Sequence, residues 1–317
     1  MRYEPFRNEP HIQRDETVCL VDSSEAEIPL NGTDEAYLYG VLERTKHVHL
    51  ITANNNPSHF ERFDLAGVHH WPVTFFYKVF NNNHLERRSP QRGFQRHYVA
   101  LTNKSKSHRF ELINHLHQHG YHHQGIITWR AGKAIQPLFS TENHFDPTVV
   151  VQLDGDGISA DDARGDITMT PPPFYDDAAI DFITESIYDP IQFGGDFVTE
   201  KSAKALWCGK MFIALAHPGY HKWLSQLGFE LYDELFDYGF DAVVDRQERF
   251  YQYFENVVKI NAMTISDLED AYRDNSDKIE HNAELARSIT WTKTDVIERC
   301  PFNQESFTRY GPTHMAG

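Results

Sequence analysis

The chain has 317 residues, 40% hydrophobic, 13% aromatic and 24% charged, the composition of a folded protein without a charge-rich low-complexity block. Its 30 basic and 46 acidic residues give a formal net charge of -16, which disfavours broad electrostatic attachment to nucleic acid or an anionic membrane and leaves room only for a local basic pocket. At roughly 100 to 200 residues per domain, this length suits two compact domains.

The first residues, MRYEPFRNEPHIQRDE, hold no apolar core of the kind a secretory signal needs. No later run is long and apolar enough for a membrane span. Cys19, Cys208 and Cys300 are widely separated and odd in number, which fits a reducing compartment and a cytoplasmic location better than a disulfide framework.

In chain order, short apolar runs alternate with helical stretches. HVHLITA (47–53) and YVALTN (98–103) read as strands, RFELINHLHQH as a helix, and GIITWR (125–130) as another strand. Strands separated by a helix-length crossover pair in parallel, which predicts an α/β domain. Signals weaken over 131–173, where DGDG, DDARGD and the run Pro171, Pro172, Pro173 forbid regular structure, and the domain junction is placed there. The resulting division is 1–170 and 171–317.

After the prolines, AIDFITES reads as a strand, VTEKSAKALWCG as a loop entering a helix, and MFIALAH as a strand. Pro218 and Gly219 break the chain before a helix through YHKWLSQL, which Gly228 closes. From Asp245, apolar residues at Phe250, Tyr251, Phe254, Val257, Val258 and Ile260 recur at helical spacing. Ser266 with Glu269 reads as a capping box for a further helix.

The chemistry concentrates at 197–201. Thr199, Glu200 and Lys201 stand where a loop enters a helix. The first turn of a helix has unpaired N–H groups and partial positive charge, and a lysine there adds a full charge, a setting for phosphate. The neighbouring glutamate offers two acceptor oxygens that suit a ribose diol. An ordinary surface Glu–Lys pair is the bland alternative.

The order IDFITES, then VTEK, then a helix, a strand and a Pro-Gly break resembles the donor-binding half of fucosyltransferase-like glycosyltransferases. The residues carrying the resemblance are Glu185, then Phe197, Val198, Thr199, Glu200 and Lys201, then Ala205 and Gly209. It implies a GT-B fold of two Rossmann-like domains facing across a cleft, with the donor in the C-terminal domain and the acceptor toward the N-terminal one. It further implies Glu200 at the ribose, Lys201 at the phosphates and Glu185 in the donor site. In YVALTNKSKSHRFELINHL the resemblance implies Arg109 as a diphosphate ligand supplied by the other domain, with Lys104 and Lys106 as helpers; guanidinium binds phosphate bidentately.

The implied activity is transfer of a sugar from a nucleotide-diphosphate sugar to an acceptor hydroxyl, without a metal or other cofactor. The acceptor is open among glycan, lipid-linked sugar, protein and modified nucleic acid. A general base is expected from the N-terminal domain, with Glu61, Asp64, His69 and His70 as candidates by type.

Rival readings are a metal-dependent transferase holding its ion on Asp154 and Asp156, a transferase acting on a modified nucleic-acid base through a basic patch at Arg87, Arg88, Arg92, Arg96, Lys104 and Lys106, and a non-catalytic nucleotide-binding protein. His115 and His119, at i and i+4, suggest a metal pair, but a polar helix face is the expectation. LYDELFDYGFDAVVD reads as a solvated helix and turn.

Overall fold

The computed structural model of the protein describes residues 2–5, 16–21, 40, 43, 45–52, 68–72, 93–102, 106–129, 137–146, 148, 151–152, 171, 173–189 and 198–288. Asp154, Asp156, Lys104, Arg87, Arg88, Arg92, Glu61 and Asp64 lie outside them. His69 and His70 fall on a described strand, β4 below, through their backbone.

Two compact units divide the chain: 1–81 with 190–197 and 289–317, and 82–189 with 198–288. The first contains four parallel strands, β1 (Arg2–Pro5), β2 (Glu16–Val21), β3 (Thr45–Thr52) and β4 (Val68–Pro72), adjacent in chain order. The second contains β5 (Arg96–Thr102), β6 (Gly125–Trp129), β7 (Val151–Gln152), β8 (Ala178–Thr184) and β9 (Met211–Leu215) in the order β7-β6-β5-β8-β9, all pairs parallel.

That order moves the domain boundary away from residue 170. β5 and β8 lie on opposite sides of the expected junction yet are hydrogen-bonded neighbours, with Tyr98 opposite Ile180 and Val99 opposite Asp181. The proline run therefore leads into a central strand of the same sheet, and the division falls near residue 81 instead.

β8 and β9 are buried at every position, as strands covered on both faces should be, and this is why they read as continuous apolar runs. Around them lie α1 (Ser107–Gln118), α2 (Glu200–Cys208), α3 (Tyr220–Gln226), α4 (Arg246–Ala262), α5 (Ile265–Asp274) and α6 (Ser276–Ser288). Tyr98 stacks on Phe182 at 4.7 Å in the core between them.

Helix ends follow local chemistry. Thr199 caps α2 by accepting from Lys201 N, and Gly209 closes it at φ 67°, a left-handed conformation that favours glycine. Asp245 caps α4 through Glu248 N. The capping box of α5 is Thr264 with Asp267 rather than Ser266 with Glu269: helix register places Leu268 at 0% exposure, and Glu269 instead accepts from Phe94 N.

One expectation of solvated surface fails and one holds at all but a single acidic residue. Ten of the twelve residues of α1 are buried, His115 and His117 among them. The acidic run after α3 is solvated at Asp233, Glu234, Asp237 and Asp245, and only Asp241 turns inward, at 6% exposure, to accept from the main chain of His221 and Lys222 at the start of α3.

Candidate anion-binding site

The sheet order reverses at β5. From this strand the chain proceeds outward to β6 and β7 on one side and later to β8 and β9 on the other. In open parallel sheets such a switch point leaves a crevice beyond the carboxyl ends of the two strands flanking it, and ligands bind there. The switch point here lies between β5 and β8, and α1 and α2 begin just beyond the ends of these strands.

Glu185 is the residue after β8 and is 0% exposed. Its Oε2 accepts from Thr199 Oγ1 at 2.6 Å and its Oε1 from Ser202 Oγ at 2.7 Å. Tyr220 OH and the Thr199 and Ser186 main-chain N–H groups complete its shell. Each donor is thus satisfied by a carboxylate that would be costly to bury alone. Glu185 and Thr199 (2% exposed) belong to the frame that fixes the start of α2, and a ligand would meet neither without displacing it.

Two residues of the same turn are more open. The Glu200 and Lys201 side chains are 28% and 13% exposed and pair at 2.6 Å. Burial would raise the Glu200 carboxyl, but the Lys201 charge and hydrogen bond, with help from Lys204, hold it down at about 2. The carboxylate therefore stays ionised beside a lysine at a helix N-terminus.

The first turn of α1 brings more cations to the same place. Lys106 Nζ donates to Ser186 O at 2.7 Å, and the Arg109 guanidinium, 1% exposed, lies 3.4 Å from Ser186 Oγ. Between them His108 Nε2 donates to Glu185 O at 2.8 Å. Burial, then the Arg109 charge, with Lys106 and Lys201 adding to it, hold His108 well below the usual imidazole range. It is a neutral imidazole in a positive field, and the field has three sources from two helices.

Arg109, Glu185, Thr199, Glu200 and Lys201 are thus brought together. Arg109 belongs to the same unit as Lys201, not to the other domain. Ser186, Ser202, His108 and Tyr220 join them without a sequence signal, because each meets its partner across at least 14 residues of chain or at a strand end.

A second constellation has hydrolase residue types and lacks hydrolase wiring. Ser140, His115 and Glu111 lie together, with Ser140 Oγ 3.2 Å from His115 Nε2. The same Nε2 faces Glu111 Oε1 at 3.0 Å, and Ser140 Oγ also donates to Glu111. A nucleophile needs a base on one ring nitrogen and the orienting acid on the other. Here the carboxylate takes both donors and also accepts from the main chain of Leu138, Phe139 and Ser140, so the group pins a loop. His115 and His119 stack at 5.9 Å, and among the described residues no group of three or more ligands is placed to hold a metal ion.

No protein-family model matches the chain, and no curated protein matches it in sequence. Solved structures similar to it include the DNA modifying enzyme β-glucosyltransferase, crystallised with and without its substrate uridine diphosphoglucose, at 10% identity over 86% of this chain and 74% of that one, TM-score 0.38. A mutant of the T4 phage enzyme in complex with UDP-glucose is also similar, at 10% identity, 87% and 74% coverage and TM-score 0.36. Neither is a fucosyltransferase. Among the described residues, no helix is long and apolar enough to cross a membrane.

Proposed function

We propose that the protein is a GT-B-type glycosyltransferase whose nucleotide-diphosphate sugar places its phosphates in the crevice at the carboxyl ends of β5 and β8. One observation carries this reading: Lys106 and Arg109 reach Ser186 while the adjacent Glu185 holds Thr199, the cap of the helix whose first turn carries Lys201, so the first turns of both helices meet at the end of β8. Cations from two helix N-termini at a switch point suit a diphosphate better than a singly charged ligand.

In the proposed reaction an acceptor hydroxyl attacks the anomeric carbon, and the bond from that carbon to the diphosphate oxygen breaks. Negative charge then builds on the departing diphosphate, where Lys201 and Lys106 oppose it directly and Arg109 supports them from beneath. Glu200, ionised and partly exposed, is assigned to the ribose hydroxyls. Cations of the chain do the work a divalent ion does elsewhere, so no metal is required.

Turnover of a panel of nucleotide sugars, scored by release of the nucleoside diphosphate, tests this reading. The panel includes UDP-glucose, the donor bound in one of the similar structures. Release by the native protein and its loss in folded Lys201→Ala and Glu200→Ala are expected. Full activity in either variant overturns the residue assignment, and no turnover or binding of any donor overturns the reading.

A further inference from the structure

Arg249 is a fully buried arginine, 0% exposed, far from the crevice in sequence. Among the described residues none forms an ion pair with it; its guanidinium is held by main-chain carbonyls. Nη1 donates to Val243 O at 2.8 Å and Val244 O at 3.1 Å, and Nη2 to Tyr188 O at 2.6 Å. The guanidinium carbon also lies 4.4 Å from the centre of the Tyr188 ring. The Tyr188 ring also stacks with His108 at 5.2 Å and 17°.

Burying a cation on neutral partners costs stability, and an apolar residue of similar volume fills space at lower cost. A planar fork adds geometry. It ties the first turn of α4 to a main-chain oxygen three residues beyond Glu185 and sits over the ring that stacks with His108. His108 in turn donates to Glu185 O, and Lys106 and Arg109 reach Ser186. Arg246, on the same helix turn, adds an ion pair to Asp189 and accepts at its carbonyl from Tyr188 OH. Segment 185–189 is clamped between α4 and the first turn of α1.

We propose that Arg249 is a positioning residue for the anion crevice: through Tyr188 it fixes the plane of His108 and the main chain at Glu185 and Ser186, and so sets affinity for the diphosphate. This rests on the glycosyltransferase reading for its ligand but not for its geometry. Lysine at position 249 keeps the charge and loses the fork, and leucine at position 188 removes the ring that transmits it.

The experiment compares native protein, Arg249→Lys, Tyr188→Leu and the double variant, with inorganic pyrophosphate as the probe and the imidazole ¹⁵N spectrum of His108, assigned by its absence in His108→Gln, as a ligand-free readout. Arg249→Lys is expected to weaken pyrophosphate binding by about tenfold, with the double variant little worse than either single one. The hydrogen-bonded Nε2–H signal of His108 is expected to shift or vanish in both single variants. An unchanged His108 signal together with unchanged pyrophosphate affinity in folded Arg249→Lys overturns the inference. So do additive losses in the double variant, which would mean that Arg249 acts without Tyr188. Should the native protein bind neither pyrophosphate nor any nucleoside diphosphate, the functional reading falls, and the His108 signal alone decides the role of Arg249. If Arg249→Lys does not fold, Tyr188→Leu carries both readouts.

Discussion

Helix α1 supports two clusters of buried polar groups, and they are completed in different ways. In its middle, Glu111 accepts from three successive main-chain N–H groups, from Ser140 Oγ and from His115. Asn114 grips Glu142 O and His144 N of the same loop. All of these bonds run within the chain, between α1 and the loop at 138–144. At the first turn, Lys106, His108 and Arg109 meet Lys201 across the crevice, around a carbonyl, a hydroxyl and the partly exposed Glu200. The Glu111 cluster holds a loop, whereas the first turns of α1 and α2 carry cations and the partly exposed Glu200–Lys201 pair to the switch point, where a ligand can meet them.

The sharpest way to break this contrast is to remove the frame between the clusters. Glu185→Ala leaves three hydroxyls and two main-chain N–H groups without their acceptor, and an expected loss of about 3 to 5 kcal/mol follows. At about 2 to 4 °C per kcal/mol for a domain of this size, thermal unfolding should show a drop of at least several degrees. A change under a degree would mean that Glu185 is not the bracket of α2.

The closed cluster has its own signature in pH. Burial would raise the Glu111 carboxyl, but hydrogen bonds from His115, Ser140 and the loop main chain bring it from 4.5 to about 2. Because the folded value lies below the unfolded one, its stabilisation is fully present above pH 4.5 and is lost as pH falls from there toward 2. Linkage puts this contribution at about 3 kcal/mol. Denaturant titrations at pH 6 and pH 3 should show a smaller acid loss in Glu111→Gln than in the native chain; equal losses would remove Glu111 as the cause.

The open cluster should respond in function instead. Lys201→Ala is expected to lower sugar transfer by about a hundredfold, with stability changed by about 0.5 kcal/mol or less. A destabilisation as large as that of Glu185→Ala would make Lys201 part of the frame. The smallest expected effect is that of EDTA: donor turnover should be unchanged on chelation, and its loss, restored by Mn²⁺ or Mg²⁺, would favour the metal-dependent rival.

Much of this was legible locally. β5, β6, β8 and β9 lie within about two residues of the expected strands, because parallel strands covered on both faces leave uninterrupted apolar runs. Thr199, Glu200 and Lys201 were readable because capping and first-turn charge act over four residues. Pairing between β5 and β8 was not, since no local pattern says which strands become neighbours, and the proline run between them resembles a linker. The buried faces of Glu185, Arg109 and Arg249 depend on contacts across 14 to 77 residues of chain. The start of α5 was read two residues late, at Ser266 and Glu269, because a capping-box pattern does not show whether its glutamate is engaged elsewhere, and Glu269 holds Phe94 N instead.

The most direct test of the central claim is calorimetric titration of nucleoside diphosphates into the native chain and into Lys201→Ala. One nucleoside diphosphate should bind the native chain at least about a hundredfold more tightly than its parent nucleoside, and most of that preference should vanish in the folded variant. Equal affinity for diphosphate and nucleoside, or a preference that survives the loss of Lys201, would contradict a diphosphate site at the ends of β5 and β8.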